Sequence, residues 1–250
     1  MANGSGSRGR GGAAGRGGGP RRGTTARRAG GAKPGPERRP KPATPPRAEP
    51  ATAEEPRTFT LGAVPGATPG KWIGVWRERL PHVTLELREI SVEGQRPALD
   101  DLDAALVRLP VAASDELHVI PLYDEKPVVV VSTDSALTAA DDLGLDDLAG
   151  EVVIVPLDDV LGVEVPDAVA PAFAPPTDTA EAIATVGAGV GVVIVPMSLA
   201  RANQRRDVEY RVLREGPVST VALAWIRDKT TPDVDAFVGI VRGRTARSSR

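Results

Sequence analysis

Apolar and polar positions between residues 57 and 110 follow the spacing of strands and helices in turn. Short apolar runs predict strands at residues 59–64, 83–90 and 104–107. A helix is predicted between the first two strands, because apolar residues recur there at helical spacing: Trp72, Ile73, Trp76 and Leu80. The order strand, helix, strand implies a parallel sheet flanked by helices.

The stretch from Thr177 to Pro196 predicts a capped helix that leads through glycines into a buried strand. Asp178 and Glu181 have the spacing of a capping box, in which two side chains satisfy backbone donors at the start of a helix. The all-apolar run Val192–Val195 is typical of a strand covered on both faces. A dinucleotide fingerprint needs its glycines before a helix, so these glycines do not indicate a nucleotide site.

The rest of the chain predicts further short elements. Apolar runs indicate strands, at residues 117–122, 127–131, 152–155, 208–213 and 218–226. Residues 143–148 suggest one helical turn, and residues 232–241 suggest a terminal amphipathic helix. Residues 156–176 are rich in proline and have no helical period, which predicts a loop or an irregular strand.

Charge and composition change abruptly near residue 57. Residues 1–57 carry 13 Lys or Arg and 4 Glu, a net charge of +9, whereas the remaining residues have a net charge of −11. Gly, Pro, Arg and Ala dominate the first part, which therefore cannot bury enough apolar surface to offset its chain entropy. We predict a disordered basic tail over residues 1–57 and a folded body from residue 58.

Several classes of chemistry find no support in the sequence. The chain has no cysteine, and its two histidines, His82 and His118, have no metal-ligand spacing. Neither a bilayer-spanning apolar run nor a secretory signal is present, so we expect a cytoplasmic protein with no membrane contact. Hydrolase and phosphate-loop motifs are also missing, and we expect neither an enzyme nor a bound cofactor.

The order of several segments resembles the effector-binding (substrate-binding) domain of LysR-type transcriptional regulators. The resemblance runs from about residue 59 to residue 244, and its best-matching segments are FTLGAVPGATPG, WRERLPHVTLELREI, LDDLDAALVRLP, PLYDEKPVVVVS, LDDLAGEVVIV, AIATVGAGVGVVIVPMSLA and VALAWIRD. The winged helix-turn-helix of complete family members has no counterpart before Phe59. Residues 156–176 also lack a helix that is normal in the second lobe.

The resemblance implies a two-lobed, periplasmic-binding-protein-like (type 2) α/β fold. The domain would span residues 58–245, followed by a short tail at residues 246–250. One lobe would comprise residues 58–125 and 196–245, and the other residues 126–195. The chain would cross between the lobes near Lys126 and Pro196, and a ligand would bind in the cleft between them.

Six residues are predicted to contact that ligand: Thr68, Ser91, Gln95, Arg108, Thr177 and Thr179. Thr68, Ser91 and Thr177 stand where a strand leads into a helix, and unpaired backbone donors at helix starts favour anions. Arg108 ends a strand and could pair with a carboxylate. We therefore expect a small organic anion, with no metal. The alternatives are that the hydroxyl residues are only helix caps and that Arg108 is a salt-bridging residue.

Two functions are favoured at this point over a third, an enzyme of the same fold that acts on an organic acid, for which no general base is placed. The first is a non-enzymatic sensor in transcription regulation, whose basic tail contacts nucleic acid without sequence preference. That tail could instead fold against the acidic body. The second function is a protein-interaction or dimerisation module with a vestigial cleft, in which the helix carrying Trp72 and Trp76 contacts a second copy.

Overall fold

The computed structural model describes residues 56–243, which form ten strands and five α-helices. The strands are β1 Arg57–Ala63, β2 Val83–Glu89, β3 Ala104–Arg108, β4 Leu117–Glu125, β5 Pro127–Ser132, β6 Asp142–Leu143, β7 Val153–Ile154, β8 Val192–Pro196, β9 Val208–Leu213 and β10 Ser219–Ile226. The helices are α1 Gly70–Arg79, α2 Gln95–Ala98, α3 Thr179–Gly187, α4 Met197–Ala202 and α5 Pro232–Val241. The predictions for residues 1–55 and 246–250 lie outside the described part of the chain.

The first sheet has the strand order β2-β1-β3-β10-β4. β1 pairs in parallel with β2 and with β3, as the alternation of elements predicts. β10 then inserts antiparallel between β3 and β4, so the sheet is mixed. Together with α1, α2 and α5, this sheet forms the first lobe.

The core of the first lobe includes three stacked or tilted aromatic rings. Phe59 lies with its ring centroid 4.6 Å from that of Trp76 and 5.3 Å from that of Phe237. Trp76 has no exposed surface, and its indole Nε1 donates a hydrogen bond to the carbonyl of Val83. This side chain belongs to the interior, so any contact between copies through α1 would involve other residues of the helix. Trp72 is only half-buried and packs at the margin of the same cluster.

The second sheet has the strand order β6-β9-β5-β8-β7. α3 and α4 cover one face of this sheet, where Ile183 and Val186 pack with β-branched residues of β5 and β8. The run predicted as a doubly covered strand is β8, and its residues Val192–Val195 are buried. The second sheet with α3 and α4 forms the second lobe.

The chain passes between the lobes at two places. Only Lys126 separates β4 from β5, so the charged residues 123–125, which lie between the two predicted strands, extend β4. β9 pairs with β5 in the second sheet, although the sequence analysis assigned residues 196–245 to the first lobe. The return to the first lobe therefore falls at residues 214–218 rather than at Pro196.

The segment from residue 156 to residue 176 contains neither a helix nor a named strand, as its proline content predicts. Within residues 56–243, no helix is both long enough and apolar enough to cross a bilayer.

Candidate functional site

A cleft of about 810 Å³ lies where the two lobes meet. Its lining comes from the turn after β1, the end of β4 with Lys126, and α4: Gly66, Ala67, Thr68, Tyr123, Asp124, Glu125, Lys126, Met197, Ser198, Arg201 and Ala202. The first lobe therefore contributes one wall and α4 contributes the facing wall. This arrangement suits a ligand enclosed between two lobes.

Two cationic side chains line the cleft, and neither has a carboxylate partner in the described part of the chain. Neither Lys126 nor Arg201 has a carboxylate of residues 56–243 within ion-pairing distance, and both side chains are exposed. Arg201 instead donates from Nε to the hydroxyl of Tyr210 at 3.3 Å. Of the two acidic residues in the lining, Asp124 accepts a hydrogen bond from the hydroxyl of Thr220, at 2.6 Å. The other acidic residue, Glu125, is paired within the protein.

Tyr123 adds a phenol to the cleft lining. Burial raises the pKa of this phenol above its ordinary value, and the carboxylate of Glu125 acts in the same direction. Arg108 and a hydrogen bond with the Thr68 backbone oppose the rise. The phenol therefore keeps its proton at neutral pH and is able to donate a hydrogen bond.

Arg108 lies beneath the cleft and is held by protein groups. Its side chain is 2 % exposed, and Nη1 donates to Oε2 of Glu125 at 2.8 Å and to the hydroxyl of Ser219 at 2.7 Å. Nη2 donates at 3.1 Å to the carbonyl of Pro65 and also to the hydroxyl of Ser198. The arrangement matches the salt-bridging alternative for Arg108 and leaves its guanidinium little access to a ligand.

Gln95 forms two hydrogen bonds with the backbone of Arg108. Its Oε1 accepts from the amide of Arg108 at 2.8 Å, and its Nε2 donates to the carbonyl of Arg108 at 2.9 Å. Gln95 is itself buried and is not part of the cleft lining. The paired hydrogen bonds fix the end of β3 against α2.

Thr68 is the predicted hydroxyl residue that lines the cleft. It is exposed, and α1 begins at Gly70 after Pro69, with no side-chain cap hydrogen bond. The prediction that Thr68 caps this helix is therefore wrong, because Pro69 occupies the capping position. A ligand contact by Thr68 stays a prediction.

Ser91, Thr177 and Thr179 lie outside the cleft lining and form hydrogen bonds with protein groups. The hydroxyl of Ser91 accepts from the amide of Gly94 at 3.0 Å, just before α2. Thr177 donates to Oε2 of Glu181 from its amide and its hydroxyl, both at 2.7 Å. Thr179 is buried and donates to Oδ1 of Asp158 at 3.0 Å. Ligand contacts by these three residues remain predictions.

Sequence reasoning missed the cleft residues Glu125, Lys126, Ser198 and Arg201. A signal for the first two was present, because the charged stretch at residues 123–126 interrupts two apolar runs at a predicted crossing between lobes. Ser198 and Arg201 gave no such signal, since α4 reads as an ordinary short helix after a strand. Only the folded path of the chain brings α4 against the turn after β1.

Comparison with known proteins places this architecture in a family. A family model described as the LysR substrate binding domain matches residues 52–246. Among curated proteins, the Hca operon transcriptional activator HcaR of Escherichia coli (strain K12) is 27% identical over an alignment of 208 residues that covers 77% of this chain and 70% of that protein.

Two solved structures show the same fold. The BenM effector binding domain with its effector benzoate superposes with a TM-score of 0.62 at 19% identity, covering 78% of this chain and 94% of that one. The oxidised form of OxyR also gives a TM-score of 0.62, at 20% identity, covering 77% of this chain and 98% of that one. The match of the family model over most of the sequence, on a two-lobed α/β fold, shows that this chain belongs to the family of LysR substrate binding domains.

Proposed function

We propose that this chain is the effector-binding part of a transcription regulator and that its cleft binds a small organic anion. The observation that carries the proposal is the pair of cations, Lys126 and Arg201, that line the cleft without a carboxylate partner among the described residues. Family membership supports small-molecule sensing in transcription regulation. The cleft volume of about 810 Å³ lies within the range of roughly 300–1,000 Å³ typical of small-molecule sites.

Several donors in the cleft suit a carboxylate. The guanidinium of Arg201 offers paired N–H groups, and hydrogen bonds from a charged donor to a carboxylate are stronger than neutral ones. The phenol of Tyr123 and the hydroxyl of Thr68 lie on the opposite side of the lining. The apolar surface of Ala67, Met197 and Ala202 would contact the body of an amphipathic acid. These features favour a small acid with an apolar body.

Benzoate is the first probe, since a structurally similar effector binding domain carries it. Titration calorimetry with benzoate, and with uncharged benzamide as the matched control, measures the contribution of the carboxylate. Arg201→Gln should weaken benzoate binding by about tenfold or more, because a charge-assisted hydrogen bond is lost. Arg88→Gln, which removes an exposed arginine outside the cleft, should leave binding unchanged.

The same titrations extend to a panel of small mono- and dicarboxylates. Saturable binding of at least one acid, lost in Arg201→Gln and kept in Arg88→Gln, supports the proposal. If no acid binds, or if benzamide binds as tightly as benzoate, an anion-binding cleft is contradicted.

We further propose that the basic residues 1–57 contact nucleic acid non-specifically. The support is their net charge of +9, since clustered arginines gain affinity by releasing counterions from phosphates. Fluorescence anisotropy with duplex DNA should show weak binding that falls steeply with salt. Deleting residues 1–55, which leaves β1 intact, should abolish it, and unchanged affinity after that deletion would reject the role.

Self-association also stays a prediction. Trp72, half-buried on α1, is the remaining aromatic candidate for a contact between copies, because Trp76 lies in the core. Sedimentation velocity at several concentrations distinguishes a monomer from a dimer.

A further inference from the structure

A largely buried polar cluster joins the two lobes at the base of the cleft. We call it the Arg108 network and define it as Pro65, Arg108, Glu125, Ser198 and Ser219. Pro65, Arg108, Glu125 and Ser219 belong to the first lobe, whereas Ser198 belongs to α4 of the second. Within this network, the hydroxyl of Ser198 is therefore the link that crosses between lobes.

The geometry at Ser198 specifies one arrangement of that hydroxyl. Ser198 accepts from Nη2 of Arg108 at 3.1 Å and donates to Oε2 of Glu125 at 2.8 Å. A hydroxyl has one proton to donate, so its orientation is set by the carboxylate it faces. Arg108 and Glu125 are 2 % and 8 % exposed, so water competes little for these hydrogen bonds.

Close packing accompanies the hydrogen bonds. Gly66 lies in the turn after β1 with φ of +82°, a conformation that L side chains rarely adopt. A Cβ at this position would stand 2.4 Å from Oγ of Ser198, 3.0 Å from Cδ2 of Leu199 and 3.1 Å from Nη2 of Arg108. The turn therefore fits against α4 and the guanidinium only because residue 66 has no side chain.

The contact between Ser198 and Arg108 lies next to a point where the chain crosses between the lobes. Lys126 connects the lobes directly, and its carbonyl accepts from the amide of Met197 at 3.0 Å, next to Ser198. The Arg108 network thus lies beside a crossing point, where a small rotation would separate Ser198 from Arg108. An arginine bound to groups of both lobes resists such a rotation.

We propose that the Arg108 network fixes the relative position of the two lobes, so that Arg108 is a positioning residue and not a ligand of the bound anion. The consequence for binding rests on the proposed function, because the network holds α4, which carries Arg201, against the wall that carries Thr68. The consequence for lobe position does not depend on any ligand.

The test measures lobe position directly in the ligand-free protein. The chain has no cysteine, so Glu78→Cys on α1 and Ala180→Cys on α3 create a single pair of spin-label sites, one on each lobe. Both residues are exposed and lie outside the network. Double electron–electron resonance then reports the distribution of distances between the lobes.

Two serine variants form a matched pair. Ser198→Ala removes the link across the lobes and leaves the ion pair of Arg108 and Glu125 in place. Ser219→Ala removes a hydroxyl bound to the same guanidinium, but within the first lobe. We expect a shifted or broadened distance distribution for Ser198→Ala, and a distribution like that of the parent for Ser219→Ala.

An unchanged distribution in Ser198→Ala overturns the proposal, as does an equal change in both variants. Benzoate titrations of the same proteins separate this inference from the proposed function. If the distribution shifts but no protein binds a carboxylate, the positioning role stands and the anion-binding function fails. If carboxylates bind but the distance distribution does not shift, the anion-binding function stands and the positioning role fails.

Discussion

Arg108 shows the limit of assigning a role from residue type and position alone. An arginine at the carboxyl end of a strand suits an anion, and that reasoning made it a predicted ligand contact. The fold instead brings the carboxylate of Glu125, 17 residues further along, to within 2.8 Å of its Nη1. The pairing depends on β10 separating β3 from β4, which no local pattern indicates.

Burial of the ion pair between Arg108 and Glu125 predicts that two glutamate variants differ strongly in stability. Glu125→Gln leaves the charge of Arg108 uncompensated in the interior, which should lower the free energy of unfolding by about 3 kcal/mol or more. Glu86→Gln breaks the exposed pair with Arg88 and should change stability little. Urea denaturation of both variants measures the difference, and equal stabilities would contradict a buried, strongly coupled pair.

At the scale of elements, the best local prediction was the start of α3. Asp178 accepts from the amide of Glu181 at 2.8 Å, which confirms the capping signal. Glu181 reaches back to Thr177 rather than to Asp178, one residue earlier than a standard capping box. Both interactions are local, so spacing in the sequence was enough to predict the helix start.

Membership of β9 in a sheet was not predictable in the same way. Val208–Leu213 was recognised as a strand, but its pairing with β5 joins residues about 80 positions apart. Apolar alternation predicts a strand but not the strand with which it pairs. The boundary between the lobes was therefore placed too early in the sequence. The same limitation hid Ser198 and Arg201 from the candidate site.

The hydrogen bonds at the start of α3 predict a pH dependence. Hydrogen bonds from the amide and hydroxyl of Thr177 lower the pKa of Glu181 below its ordinary value of 4.5. A carboxyl whose pKa is lowered on folding stabilises the protein above its unfolded-state pKa, and the stabilisation disappears as pH falls through the lowered value.

Glu181→Ala should therefore be less stable than the parent at neutral pH and approach the parent's stability well below pH 4.5. Thermal unfolding from neutral to acidic pH checks this expectation. Glu78→Ala, an exposed glutamate of α1 with no hydrogen bond to other described residues, is the control and should show no such convergence. A difference in stability between Glu181→Ala and the parent that stays constant across the pH range would show that ionisation of the Glu181 carboxyl does not stabilise the fold.

At the scale of the whole molecule, contact between the lobes depends on Gly66. A side chain at this position would be strained by the positive φ, and its Cβ would lie too close to Ser198, Leu199 and Arg108. The two-lobed architecture was implied by the resemblance to LysR effector-binding domains, whereas this close approach could not be predicted, because glycines in turns are common and only the folded chain shows what faces them.

Gly66→Ala should lower the free energy of unfolding and widen the separation of the lobes, since the new Cβ clashes with α4. Gly74→Ala is the matched control: nothing lies within 4 Å of its Cβ position, in the middle of α1. The control should be stabilised by about 0.5–1 kcal/mol, because alanine favours a helix over glycine. Chemical denaturation and small-angle scattering measure the two effects, and equal stabilities would contradict a tight contact at Gly66.

The path of the chain also governs the order in which the lobes can be completed. The strands of the second sheet come from one uninterrupted stretch, residues 127–213, whereas β10, the only neighbour of β4 in the first sheet, follows later. While the polypeptide is being synthesised, β4 therefore has no partner in its own sheet until residues 219–226 have been added. All strands of the second sheet are therefore present in the growing chain before the first sheet has its last strand.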